Sequence, residues 1–180
     1  MMLFQNDSIK VRLLEEKDSH LLVKWLSDPS VLEFYEGRDN LFDLAKVKSV
    51  FYGSDDNEVK CIVEYANKAI GYVQFYQLDD ETKKEYGYVH KKVYGTDQFI
   101  GEVDYWNKGI GTLLVRAMTK FLLEHEKADI VVMDPQARNT RAIKCYEKCG
   151  FNKVKILPKR ELHEGEYQDC WLMEYHMNKC

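Results

Sequence analysis

The chain has 180 residues and no long apolar run: uninterrupted stretches such as Ile130 to Met133 stop far short of the roughly 20 residues a spanning helix needs. An excess of positive charge is also missing. Twenty-six Lys and Arg face 30 Asp and Glu, for a formal net charge of −4, which argues against a general nucleic-acid or anionic-membrane surface and favours a cationic partner. No Cys-x-x-Cys pair occurs, and the five cysteines (Cys61, Cys145, Cys149, Cys170, Cys180) are an odd set suited to free thiols in a reducing compartment. The five histidines (His20, His90, His125, His163, His176) share no metal-ligand spacing with one another or with the cysteines, so no metal is expected. From Met1 to Asp7 the chain reaches amide and acidic residues before an apolar stretch begins, unlike a signal or transit peptide. The expectation is a cytoplasmic protein.

Prolines are few, three against ten glycines, and no repeat or low-complexity tract interrupts the chain, so residues 1–180 read as one domain. Ile9 to Leu13 alternates as a strand. Asp18 followed by Leu21, Leu22, Trp25 and Leu26 reads as a capped helix stopped before Pro29, and a second helix starts near Asp43. Glu58–Tyr65 and Ala69–Leu78 alternate around Asn67-Lys68 as an antiparallel hairpin, with a further strand over Val93–Ile100. Leu114, Ala117, Met118, Phe121 and Leu122 fall at helical spacing, which predicts a helix over Gly109–Glu126. A short buried strand at Ile130–Met133 precedes a helix from Asn139, its N-cap, to Cys149, with Gly150 after its end. Strands near Asn152–Leu157 and Cys170–Met177 complete a mixed α/β or α+β domain.

Tyr105-Trp106-Asn107-Lys108-Gly109-Ile110-Gly111-Thr112 lies between a strand and the long helix, where unpaired N–H groups and the helix dipole favour an anion such as phosphate. Alone, Gly-x-Gly fits a tight turn that needs glycine for steric reasons as well as it fits a ligand site. The third glycine of a dinucleotide fingerprint is absent, and so is the Gly-Lys-Ser/Thr ending of a phosphate-binding loop. Elsewhere, Ile70, Tyr72, Gln74 and Tyr76 share one strand face, either an acceptor-pocket wall or an exposed sheet face. Glu33, Glu36 and Asp39, interrupted by Arg38, make either an acidic wall or a solvated loop. Asp97, a carboxylate in a mostly apolar strand, should be costly unless it meets a charge. Cys145 and Cys149 are two small hydrophobes on one helical face rather than a redox pair.

A wider context surrounds that turn. Asp97-Gln98-Phe99-Ile100-Gly101-Glu102, then Trp106 to Thr112, then Asp134-Pro135 with Asn139-Thr140-Arg141-Ala142-Ile143, Tyr146 and Gly150-Phe151, resembles the GCN5-related N-acetyltransferase superfamily over about Ile9 to Met177. Gly95 to Glu102, Leu32 to Asp39 and Leu162-His163-Glu164-Gly165 resemble, within it, aminoglycoside 6'-N-acetyltransferases, specifically the acetyltransferase half of a bifunctional aminoglycoside-modifying enzyme. The resemblance implies a mixed sheet of about seven strands flanked by about four helices and splayed at the cofactor-binding strand. It implies transfer of acetyl from acetyl-CoA to a primary amine of an aminoglycoside, with drug resistance as the outcome. The alternatives are an acetyltransferase for a polyamine or a ribosomal protein N-terminus, or a binding module for acyl-CoA or drug without turnover. One departure stands out: the superfamily usually has Gln or Arg three residues before the first glycine, where this chain has Trp106.

Roles follow by the same resemblance. Acetyl-CoA, as co-substrate, lies along the Val93–Gly101 strand through backbone bonds from Phe99, Ile100 and Gly101, with its diphosphate at Lys108, Gly109, Ile110, Gly111 and Thr112. Asn139, Ala142 and Tyr146 match the thiol end, where Tyr146 protonates the departing thiolate; read alone, Ala142, Ile143 and Tyr146 form a core-facing helical stripe. Asp97 is placed beside the reacting amine, as general base or as orienting group, its plain alternative being a structural carboxylate at a bulge. Tyr35, Glu36, Tyr72, Gln74, Tyr76, Glu102, Asp134 and Asp169 complete the acceptor set expected for a small cationic substrate.

Overall fold

The structure is a computed structural model that describes residues 1–53 and 57–177. Eight strands form one mixed sheet in the order β1-β2-β3-β4-β5-β6-β8-β7. They are β1 (Met2–Asn6), β2 (Ile9–Leu13), β3 (Val59–Tyr65), β4 (Lys68–Gln77), β5 (Val93–Ile100), β6 (Ile130–Met133), β7 (Asn152–His163) and β8 (Glu166–His176). The helices are α1 (Ser19–Trp25), α2 (Pro29–Leu32), α3 (Leu44–Phe51), α4 (Asp80–Tyr86), α5 (Ile110–Glu124) and α6 (Thr140–Lys148).

The mixed α/β expectation holds, with one strand and two short helices beyond those read from the sequence. Each addition has weak periodicity. β1 is half exposed and pairs only with β2. In α2, Pro29 sits at the first position behind an Asp28 cap, so the proline that was expected to stop a helix starts one. α4 buries only Tyr86, and its signals are its ends: Asp79 accepts the Thr82 N–H, and Gly87 follows in the left-handed region. β7 and β8 run on past their expected limits to a turn at Glu164-Gly165, because register shifts after Lys153 and Leu157 break simple alternation. Asp18 does not cap α1. It is buried and takes the Arg12 guanidinium at 2.8 and 2.9 Å, tying β2 to the turn before the helix.

Both sheet faces are covered. α5 and α6 pack over Val11, Val63, Val73, Val131 and Met173, while α1 to α3 cover Ile62, Tyr72 and Phe99 on the other side. β6 is therefore apolar at every position, as a doubly covered strand requires. Cys61, Cys145, Cys149 and Cys170 are free thiols, and Cys180 lies outside the described residues. Among the described residues, no helix is long and apolar enough to cross a membrane.

The pairing of β5 sets the site. It runs antiparallel to β4 along its whole length, but parallel to β6 only at Val93, Tyr94 and Gly95. From Thr96 onward its β6-side edge has no strand partner among the described residues, and the two strands diverge. Trp25 braces the far end: a Cβ on Gly101 would lie 2.2 Å from the indole, so only glycine fits. Gly101→Ala should therefore lower stability by about 1–3 kcal/mol through overpacking. Urea denaturation checks this, and a loss below about 0.5 kcal/mol would show that the brace yields freely.

Candidate active site

A cavity of about 940 Å³ opens where β5 and β6 part, and it has two chemically different ends. At one end α5 begins. Gly109, at φ +77° with open space where a Cβ would stand, precedes a helix that no side chain among the described residues caps. The first intrahelical bond comes from Leu113, so the N–H groups of Ile110, Gly111 and Thr112 have no partner among the described residues. Gly109, Gly111 and Thr112 line the cavity. Across from them α6 contributes Arg141, Lys144 and Lys148, three cations at helical spacing. Unpaired donors, a positive dipole end and three cations are a donor set suited to a diphosphate.

The other end is acidic. Asp97 from β5, Asp134 at the end of β6, Glu36 from the loop after α2, and Glu161 from β7 all line it. Burial raises the Asp97 carboxyl above its ordinary range, as does the Glu161 charge, against hydrogen bonds from Gln74 (Nε2 to Oδ2, 3.1 Å) and Tyr76. Burial and then the Asp97 charge push Asp134 up to about 7. Glu36 is raised chiefly by burial, against the Lys46 charge. Like charges gathered away from water are held apart from full ionisation unless a cation joins them.

Between the ends, the Tyr146 hydroxyl accepts the Gln98 amide N–H at 2.9 Å. Burial raises this phenol and those of Tyr35 and Tyr76, so all three stay protonated near neutral pH. With an N–H already accepted, the Tyr146 O–H remains a donor toward the cavity it lines.

The roof spans two distant segments. Arg38 gives Glu164 its backbone N–H at 2.9 Å and its guanidinium at 2.6 and 2.8 Å, locking the loop that carries Tyr35 and Glu36 to the β7–β8 turn. Arg138 reinforces it by donating to the Glu33 carbonyl at 2.8 Å and covering the Phe34 ring.

The cavity thus brings together Asp97 and Tyr146, then Phe99, Ile100, Gly109, Gly111, Thr112, Asn139 and Ala142, and on the acceptor side Tyr35, Glu36, Gln74, Tyr76 and Asp134. Asn139 also caps α6, accepting the Ala142 N–H at 3.2 Å. Six expected residues stand outside it. Gly101 donates its N–H to the Ile70 carbonyl at 2.8 Å, and because groups alternate along a strand, Phe99 also turns its backbone toward β4. Only Gln98 and Ile100 turn theirs toward the gap, and the Ile100 carbonyl already accepts the Trp106 indole N–H at 2.8 Å. Lys108 points its ammonium over the Tyr105 ring, and Ile110 is buried in the core. Tyr72 is fully buried and donates to the Gln74 side chain at 2.8 Å, one step behind the wall. Glu102 is held by Lys24 at 2.7 Å and the Trp25 indole at 3.1 Å, and that pairing keeps its carboxyl below the usual range despite some burial. Asp169, exposed, accepts the Lys159 N–H at 2.9 Å across a bulged strand pair.

Sequence reasoning missed Gln98, Glu161 and the α6 cations. The spacing of Arg141, Lys144 and Lys148 was visible, on the face opposite the apolar stripe at Ala142 and Ile143. Glu161 gave no signal, since it follows the register shift in β7.

A mixed sheet parted at one strand, with a bare helix start beside the gap, defines an acyl-CoA-using transferase fold. The chain belongs to the acetyltransferase (GNAT) domain family, whose pattern matches residues 15–158, and it is an acetyl-CoA-dependent N-acetyltransferase. The aminoglycoside N(6')-acetyltransferase type 1 of Klebsiella pneumoniae is 32% identical over 155 residues, covering 82% of this chain and 76% of that protein. The solved structure of AAC(6')-Ib in complex with ribostamycin and coenzyme A superposes with a TM-score of 0.78 at 27% identity, covering 94% of each chain. The Vibrio cholerae spermidine N-acetyltransferase in complex with CoA and spermine shares the fold alone, with a TM-score of 0.78 at 19% identity over 97% of this chain and 98% of that one.

The raised Asp134 carboxyl has a consequence for stability. A carboxyl raised on folding opposes folding when ionised, so its cost is full above pH 7 and vanishes below about pH 4. Asp134→Asn should be about 2–4 kcal/mol more stable than the native chain at pH 8, with no difference at pH 4. Urea midpoints at the two pH values check this; equal stabilities at pH 8 would mean that Asp134 is compensated in the folded chain.

Proposed function

We propose that this enzyme acetylates the 6' primary amine of an aminoglycoside. The observation that carries the reading is the acidic end of the cavity, where Glu36, Asp97, Asp134 and Glu161 outnumber the Arg160 that lines the cavity with them, and the Glu36, Asp97 and Asp134 carboxyls stay raised. A polyamino sugar supplies several ammonium groups across such a wall. The relative from Klebsiella pneumoniae and the ribostamycin complex of AAC(6')-Ib support the same acceptor class. Acetylation removes one positive charge from a polycation and weakens its contacts with RNA phosphates, which accounts for resistance.

Acetyl-CoA supplies an acyl carbon activated by a thiol leaving group. The first-turn N–H groups of α5 and the α6 cations hold its diphosphate, and the open edge offers the Gln98 N–H and C=O and the Ile100 N–H, groups that a pantetheine arm needs. Asp97 holds the acceptor ammonium, with Asp134 beside it to share the proton. An ordinary Asp near 4 facing an amine near 8–9 leaves a gap of about 6 kcal/mol, whereas a carboxyl near 7 narrows it to about 2 kcal/mol. The amine nitrogen then bonds to the acyl carbon as the carbon–sulfur bond breaks. One ammonium proton goes to the carboxylates before attack; the Tyr146 O–H, oriented by Gln98, gives a proton to the departing sulfur, and the second proton that the nitrogen sheds on becoming an amide restores the phenol.

Free thiol release from acetyl-CoA, followed in parallel with kanamycin, spermidine and a basic peptide, tests the acceptor class. Release with kanamycin is expected; release with spermidine or peptide alone refutes the reading. Asp97→Asn should lower kcat about 100-fold or more while leaving the acetyl-CoA KM within about threefold, and Tyr146→Phe should lower kcat about tenfold. An unchanged kcat in Asp97→Asn removes that residue from the chemistry.

A further inference from the structure

Trp106 occupies the position where a polar side chain was expected beside the diphosphate, and it is fixed from two sides. Its indole N–H is committed to the Ile100 carbonyl at 2.8 Å, and its ring packs against the cluster under α1 to α3. The Arg141 guanidinium lies over the outer face of that ring, 4.2 Å from its centre. Both side chains line the cavity at the end where α5 begins. Among the described residues, no carboxylate and no hydrogen-bond acceptor engages Arg141. Other arginines of the chain are occupied: Arg12 by Asp18 and Glu64, Arg38 by Glu164, Arg160 by Glu85 and the Tyr86 hydroxyl, and Arg138 by the Glu33 carbonyl.

A guanidinium centred over an aromatic face loses little hydration and keeps its N–H donors free for another partner. Those donors form a fork that matches two phosphate oxygens. The ring also removes the rotamer freedom that an exposed arginine would lose on binding, so the cation is oriented before the ligand arrives. We propose that Arg141, positioned by Trp106, is the diphosphate clamp of this enzyme, a side-chain fork that closes over the anion from the side opposite the α5 N–H groups. Trp106 thereby supplies through Arg141 what a polar residue at its own position would have supplied directly. The inference rests on acetyl-CoA as the co-substrate and is independent of which amine is acetylated.

Calorimetric titration with CoA, without any acceptor, isolates the clamp. Arg141→Ala should weaken CoA binding 10- to 100-fold, the range for loss of a charge-assisted hydrogen bond. Arg141→Lys should fall between Arg141→Ala and the native chain, since it keeps the charge and loses the fork. Trp106→Ala should weaken binding three- to tenfold, and the double variant Trp106→Ala with Arg141→Ala should bind no worse than Arg141→Ala alone, because the tryptophan acts through the arginine. With S-acetyl-N-acetylcysteamine, a thioester that lacks the diphosphate, native protein and Arg141→Ala should show equal kcat/KM. CoA binding by Arg141→Ala within twofold of the native chain overturns the proposal, as does an equal loss with the truncated thioester. Failure of the native chain to bind CoA at all would instead overturn the co-substrate reading beneath it.

Discussion

Three residues of parallel pairing decide the shape of this enzyme. β5 and β6 share a ladder only at Val93, Tyr94 and Gly95 among the described residues, and the cavity opens beyond the point where it ends. Unpaired backbone groups in a sheet interior are normally unaffordable, because each lost hydrogen bond is felt. Here they stand at the wall of an open cavity, where a ligand with amide groups satisfies them. The same divergence leaves Asp134 at the end of β6 looking across at Asp97 on β5, and it sets the starts of α5 and α6 on the two lips of the gap. Trp25 packed on Gly101 keeps the end of β5 in place, so the opening is built into the core rather than left to loops.

Charge is sorted along that opening. The end formed by α5 and α6 gathers unpartnered N–H groups and cations, while the end formed by β5, β6, β7 and the loop after α2 gathers carboxylates. Each end is frustrated in the free protein: the anion site has donors without an acceptor, and the acidic wall has carboxyls raised by burial and by one another. Binding an anionic co-substrate at one end and a polycation at the other relieves both. Stability given up in the empty enzyme thereby becomes affinity and proton-accepting strength: among the described residues Asp97 and Asp134 form no ion pair, whereas Glu102 pairs with Lys24.

The elements with strong periodicity were legible in the sequence: the β3–β4 hairpin, β5, α5, and α6 with its Asn139 cap and Gly150 stop. Those that depend on partners elsewhere were not. α4 announces itself only by Asp79 and Gly87, and the extension of β7 follows a register shift that erases alternation. The site divides in the same way. Asp97, Tyr146 and the glycine turn line the cavity as expected, since motif and chemistry coincide there. Glu102 and Asp169 have the right charge but spend it on Lys24, Trp25 and the Lys159 backbone, a competition no linear spacing reveals. Gln98 was hidden because its role comes only from sitting opposite Tyr146 across the gap.

A structure of the enzyme with coenzyme A and kanamycin tests the central claim most directly. The account requires the diphosphate against the Gly109–Thr112 backbone, the sulfur within reach of the Tyr146 hydroxyl, and an ammonium of the drug in contact with Asp97. A drug seated away from Asp97 and Asp134, or a diphosphate held anywhere but the start of α5, would contradict it.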